Sequence, residues 1–166
     1  MERILFTTFA DGNLGLKAAG KRIIRQAESS GLFNGTKLQS LESLKSESPL
    51  FMKRNSSFIN SNKKGLGNYI WKPQVILNAL RDIELDDYIL YLDSGCQFNL
   101  SKKSLLRFDS YVQMAKSDGA MLMQLREGSF GASSVSDASW TKKQTLDLLD
   151  PLSIYRQTPQ IQSGII

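Results

Sequence analysis

The chain of 166 residues has no histidine and a single cysteine. Without histidine neither a Ser-His-Asp triad nor a Cys-His dyad can form, and a His- or Cys-rich zinc site is excluded. A lone Cys96 permits no internal disulfide, which suits a reducing compartment. Long apolar runs are also missing. Residues 1–10 carry Glu2 and Arg3, then a short apolar stretch broken by Thr7 and Thr8. A secretory core needs about 7–15 apolar residues and a membrane span about 20. The expected location is therefore cytoplasmic, with peripheral contact to the inner face of a membrane left open. No arginine-rich stripe is interleaved with aromatics, so nucleic acid is not an expected partner. General acids, bases and metal ligands must come mainly from carboxylates, Lys, Tyr or bound water.

What is present is enough for a packed core. Hydrophobic residues make up 41% of the chain, and its length predicts one domain spanning residues 1–166. The 21 Lys and Arg exceed the 16 Asp and Glu, for a net charge of +5. That balance fits a solvated surface and equally an anionic partner such as nucleotide phosphates or an acidic membrane.

Residues 3–9 (RILFTTF) are β-branched and aromatic and predict a buried first strand. A turn at residues 10–13 leads to a helix over 14–30, with Asn13 as cap and Gly31 as stop. Residues 36–41 predict a short second strand. The polar, Ser-rich stretch 44–62 is either helix or a long functional loop. A basic turn at 63–67 precedes a helix opened by Pro73, whose apolar stripe is Val75, Ile76, Leu77, Leu80 and Ile83. Residues 88–92 (YILYL) form a near-continuous apolar strand ending in Asp93, the pattern of a strand in a parallel sheet. Helices over 101–116 and 136–149, a strand over 120–125 and the start of another over 162–166 follow.

This alternation predicts a three-layer α/β fold with a mostly parallel sheet. Ligands in such folds sit at the carboxyl ends of the strands, which puts residues 8–11 and 93–96 on one edge. The apolar ending at residue 166 leads to the expectation that the sequence is an N-terminal portion of a longer protein, possessing the donor half of such a fold with an incomplete acceptor half.

Four stretches are candidates for chemistry. Residues 15–22 spell GxxxxGK followed by Arg22, after a strand, as in a phosphate-binding loop of a nucleotide hydrolase. Arg22 stands where Ser or Thr would hold magnesium, and the stretch already has helical periodicity. Asp93-Ser94-Gly95 ends a buried strand, where a carboxylate can hold Mg2+ or Mn2+ and small residues admit a diphosphate. Asp93 could equally cap the turn that follows. Lys72, between Trp71 and Pro73 at a helix start, fits a phosphate site or a snorkelling surface lysine. Trp140, Lys142, Gln160, Ser163 and Gly164 suit sugar or acceptor contacts, against a reading of Trp140 as core and the Gln residues as loop.

Residues 65–73 (GLGNYIWKP) followed by 91–96 (YLDSGC) resemble a bacterial and viral group of glycosyltransferases with a pattern close to GxGYWxWKP…YLDxGC. Residues 140–143 and 160–164 also look like segments of that group. The group is similar to GT-A-type nucleotide-diphospho-sugar transferases. The resemblance implies a Rossmann-like GT-A fold and transfer of a sugar from a nucleotide-diphosphate donor to a hydroxyl of a saccharide or lipid-linked acceptor. It gives Asp93 the first carboxylate of a metal- and diphosphate-binding Asp-x-Asp motif, with Mn2+ or Mg2+ as cofactor. It gives Lys72 the nucleotide contact, places Thr8, Phe9 and Asp11 near base and ribose, and adds Tyr69, Trp71, Ser94 and Gly95 to the donor site. Asp137 is the candidate base on the acceptor side. Gly95 departs from the Asp-x-Asp motif by replacing its second carboxylate. Beside this reading stand a P-loop-like hydrolase built on residues 15–21 and a sugar-nucleotide-binding module without turnover.

Overall fold

A computed structural model describes residues 3–126 and 136–161. It divides into two units, Met1–Ser110 and Tyr111–Ile165. The first unit is α/β, built on a three-stranded parallel sheet of order β2-β1-β3.

The central strand β1 (Ile4–Phe9) pairs Leu5–Phe9 with Gly35–Gln39 of β2 and Ile4–Thr7 with Tyr88–Tyr91 of β3. Its two faces carry different chemistry, as strand alternation dictates. On one face Phe6 meets Phe33 and Phe98 at ring distances of 5.4 and 5.3 Å. On the other, Phe9 joins Leu44, Met52, Ile59, Trp71, Val75 and Tyr91 in the main core.

Helix α1 (Leu14–Ser30) follows the expected bounds closely. The Asn13 side chain accepts from the Leu16 N–H at 2.9 Å, and Gly31 closes the helix at φ +69°. Gly20 is required by packing, since a Cβ there would lie 2.4 Å from the Ala10 Cβ. The second strand ends earlier than expected, at Gln39, because Ser40 forms a capping box that starts α2 (Leu41–Glu47). The polar 44–62 stretch is helical over most of its length, in α2 and α3 (Pro49–Ser61).

A four-residue element, α4 (Gly65–Asn68), and α5 (Lys72–Arg81) then lead to β3. The buried face of α5 differs from the expected stripe: it carries Lys72, Val75, Asn78 and Ala79, and Leu77 and Leu80 are exposed. Polar partners decide this. Asn78 Oδ1 accepts from Ser48 Oγ at 2.7 Å and from Gln74 Nε2 at 2.8 Å, while Lys72 pairs with Asp93. Residue 72 can therefore be inside although lysines are rarely buried unpaired.

Helix α6 (Lys102–Asp118) follows, and the second unit holds the short helices α7 (Asp137–Trp140) and α8 (Lys143–Leu149). The expected strand over 120–125 is not a strand, because it finds a partner only at an isolated antiparallel bridge of Gln124 with Ile161. The expected 136–149 helix is broken at extended Thr141 and Lys142. The Asp137 and Ala138 N–H groups donate to the Thr158 and Arg156 carbonyls, which pins the first turn to that segment. The strand expected at 162–166 lies outside the described residues. Among the described residues no helix is long and apolar enough to cross a membrane.

Candidate functional site

Parallel strands bring the ends of β1 and β3 to the same edge of the sheet, and a cleft of about 290 Å³ opens there. Its wall includes Phe9 at the end of β1 and Asp11 beyond it, Leu66, Tyr69 and Trp71 from the stretch before α5, and Asp93, Ser94 and Gly95 after β3. The volume suits one ring-sized part of a ligand.

The turn before α5 is unusual backbone. Five consecutive residues have positive φ: Gly65 (56°), Leu66 (51°), Gly67 (86°), Asn68 (52°) and Tyr69 (64°). A left-handed conformation costs an L-residue roughly 1–2 kcal/mol, and such strain concentrates at functional sites. Two glycines make the turn feasible. A Cβ on Gly67 would lie 2.9 Å from the Ile59 Cα, and one on Gly65 would lie 2.6 Å from the Tyr69 ring. Trp71 Nε1 donates to the Gly65 carbonyl at 2.8 Å and locks the turn to the core. Trp71 also stacks on Phe9 at 3.8 Å, so both rings are wall rather than free platform. Tyr69 is the half-exposed ring at the cleft.

Among the described residues, only side chains hold the Asp93 carboxylate. Its Oδ1 accepts from the Tyr91 phenol at 2.6 Å, and Lys72 Nζ stands 2.9 Å from Oδ1 and 3.1 Å from Oδ2. The Lys72 ammonium lies 5.7, 6.0 and 5.5 Å from the ring centres of Tyr69, Trp71 and Tyr91, within cation–π range. Burial, then the Asp93 carboxylate, pushes the Tyr91 phenol well above its ordinary range, so it stays a proton donor to Asp93. Burial and Asp93 likewise raise the Cys96 thiol, which is the opposite of what a nucleophilic cysteine needs.

Residues 93–96 form a tight turn, with the Cys96 N–H donating to the Asp93 carbonyl at 2.8 Å. Arg22 clamps this turn from α1. Its Nη2 donates to the Ser94 carbonyl at 3.1 Å and the Cys96 carbonyl at 2.9 Å. This explains the arginine in the GxxxxGK stretch: residues 15–22 lie wholly within α1, and Arg22 serves the turn after β3.

The other expected donor-site residues divide by role. Thr8 is fully buried, and its Oγ1 donates to the Leu92 carbonyl at 2.6 Å, so it ties β1 to β3 and does not reach the cleft. Asp11 lines the cleft but is committed to the fold. Its Oδ1 accepts from the Gly12 N–H at 2.7 Å and stands 3.2 Å from Lys17 Nζ, and its Oδ2 accepts from the Leu41 N–H at 2.9 Å. Burial opposes its charge, but these donors prevail and hold the carboxyl below its ordinary range.

Asp137, Lys142 and Gln160 belong to the second unit. Asp137 starts α7, exposed Lys142 precedes α8, and the Gln160 carbonyl accepts from the Leu125 N–H at 2.8 Å. Trp140 closes α7; its side chain, with Ser163 and Gly164, lies outside what is described.

The donor set fits a protein-held divalent ion poorly. Hard cations take several oxygen ligands. Here the Lys72 ammonium beside Asp93 opposes a second cation, Asp11 is engaged by its three donors, and position 95 offers no side chain. Among the described residues no group of three or more Cys, Asp or Glu converges.

Sequence reasoning missed Tyr91, Arg22 and the left-handed turn. Tyr91 read as one apolar residue of a strand, and Arg22 only as a departure from a motif. The Gly65–Gly67 pair was the sole sign of the turn. Set against protein-family models, curated proteins and solved structures, the chain matches none of them.

Proposed function

We propose that the chain is a GT-A-type glycosyltransferase domain that binds a nucleotide-diphospho-sugar at the Asp93 cleft. The carrying observation is the Asp93 carboxylate on the cleft wall at the end of a parallel strand, held by Tyr91 and Lys72 and facing the same cleft as Tyr69. The resemblance of residues 65–73 and 91–96 to glycosyltransferase segments supports the same reading. In that reading Tyr69 offers a ring face to base or sugar, and the remaining lone pairs of Asp93 accept from sugar or ribose hydroxyls.

In the transfer itself, the bond from the sugar C1 to the diphosphate oxygen breaks. A bond from the acceptor hydroxyl oxygen to C1 forms, the electron pair of the broken bond leaves with the nucleoside diphosphate, and the hydroxyl proton passes to a base. The acceptor is a saccharide or lipid-linked hydroxyl, and the site of action is the cytoplasmic side, at or near a membrane. A P-loop hydrolase is disfavoured because residues 15–22 are helix rather than phosphate-wrapping loop.

A thermal-shift panel of UDP-, GDP-, CMP- and dTDP-sugars against ATP–Mg2+ tests the proposal. A sugar nucleotide at 100 times its dissociation constant should stabilise by about 2.7 kcal/mol, and Asp93→Asn should remove the shift. Stabilisation by ATP–Mg2+ alone would contradict the proposal. Binding without sugar release would reduce the chain to a sugar-nucleotide-binding module.

A further inference from the structure

An ammonium occupies the place where a metal would neutralise Asp93. Lys72 Nζ sits 2.9 and 3.1 Å from the two carboxylate oxygens, with its side chain only 11% exposed. Three rings surround it at 5.5–6.0 Å, so the charge is fixed beside Asp93 and poorly screened by water. The ammonium offsets the charge of Asp93, so an anionic ligand meets less repulsion from it.

The turn after Asp93 supplies donors. The Ser94 carbonyl accepts from Arg22, so the N–H of the same trans peptide, that of Gly95, points the opposite way. Among the described residues neither the Ser94 nor the Gly95 N–H finds an acceptor. Both residues line the cleft. Gly95 itself is not demanded by the fold: its φ is not positive, and a Cβ there would meet nothing within 4 Å. The missing side chain leaves open space at the position where a second carboxylate would be needed for a cation.

We infer that this cleft binds the diphosphate of its ligand without a divalent cation, because the Lys72 ammonium does what a cation would do in cancelling the charge of Asp93, and the Ser94 and Gly95 N–H groups donate to phosphate oxygens. This rests on the glycosyltransferase reading above. It also predicts a conversion. Gly95→Asp fits the backbone and sets two carboxylates against one ammonium, so the variant should need a cation that the native chain does not.

Calorimetric titration with UDP, GDP, dTDP and inorganic pyrophosphate, in EDTA and in Mn2+, decides the matter. The native chain should bind at least one of these probes in EDTA within about threefold of its affinity in Mn2+. Lys72→Met should weaken binding at least about tenfold in both buffers, and Lys72→Arg should retain more of it. Gly95→Asp should lose about tenfold in EDTA and regain it in Mn2+. Because its side chain projects into open space, this variant stays informative even if Lys72→Met fails to fold. Binding by the native chain only in Mn2+, or a Gly95→Asp chain indifferent to Mn2+, would overturn the inference and leave the glycosyltransferase reading standing. No binding of any probe in either buffer would remove both.

Discussion

Two aspartates stand on the wall of one cleft at neighbouring strand ends, and they are held in opposite ways. Asp11, after β1, accepts from two backbone N–H groups and pairs with Lys17. Asp93, after β3, takes its support from Tyr91 and Lys72 side chains and keeps 44% of its own side chain exposed. A carboxylate saturated by backbone fixes a chain crossing; here it joins the end of β1 to the start of α2. One held from behind by side chains, with open lone pairs in front, is preorganised for something that arrives. The backbone around the cleft shows the same division. The 65–69 turn is strained and anchored to the core through Gly67 and the Trp71–Gly65 hydrogen bond, whereas the 93–96 turn is unstrained and clamped by Arg22.

Glycine substitutions break the comparison between the turns most sharply. Gly67→Ala should cost about 3 kcal/mol, because its backbone is left-handed and the new Cβ would press on Ile59. Gly95→Ala should change stability by less than about 0.5 kcal/mol, since nothing lies within 4 Å. Urea unfolding of the two variants measures both.

The aspartates come next. Asp11→Asn should lower stability by about 1–2 kcal/mol, because an amide cannot accept from all three donors. The pH dependence gives an independent readout. The folded carboxyl of Asp11 lies below its ordinary value, so its contribution is present above about pH 4 and is lost as pH falls through the folded value. Acid unfolding curves should show Asp11→Asn converging on the native chain at low pH. A gap that persists undiminished below pH 3, to within about 0.3 kcal/mol, would refute this assignment. Tyr91→Phe should cost about 1 kcal/mol by urea unfolding, since the ring stays and only the hydrogen bond to Asp93 is lost.

Much of this architecture is written in local pattern. The bounds of α1 follow from Asn13 and Gly31, and the parallel arrangement follows from the apolar run at 88–92 between helices. The edge carrying residues 8–11 and 93–96 follows from strand polarity alone. What the pattern hides is side-chain pairing over long sequence separations. Lys72 looks like a surface residue until Asp93, 21 positions on, is brought beside it. Leu77 and Leu80 look like core until Asn78 and Lys72 claim the inner face of α5. Arg22 has no local signature because its acceptors lie 72 and 74 residues away. The strand expected at 120–125 fails for a related reason, since β-propensity does not provide a partner along its length.

The central claim is that the two cleft aspartates divide the work, Asp93 for ligand and Asp11 for fold. Titration of Asp93→Asn and Asp11→Asn with the sugar nucleotide selected by the thermal-shift panel, alongside their melting temperatures, tests it directly. Asp93→Asn should bind at least about tenfold more weakly and melt closer to the native chain than Asp11→Asn does. Asp11→Asn should bind within about threefold of the native chain and show the larger loss of melting temperature. Native-like binding by Asp93→Asn, or an equal loss of binding in both variants, would contradict the account.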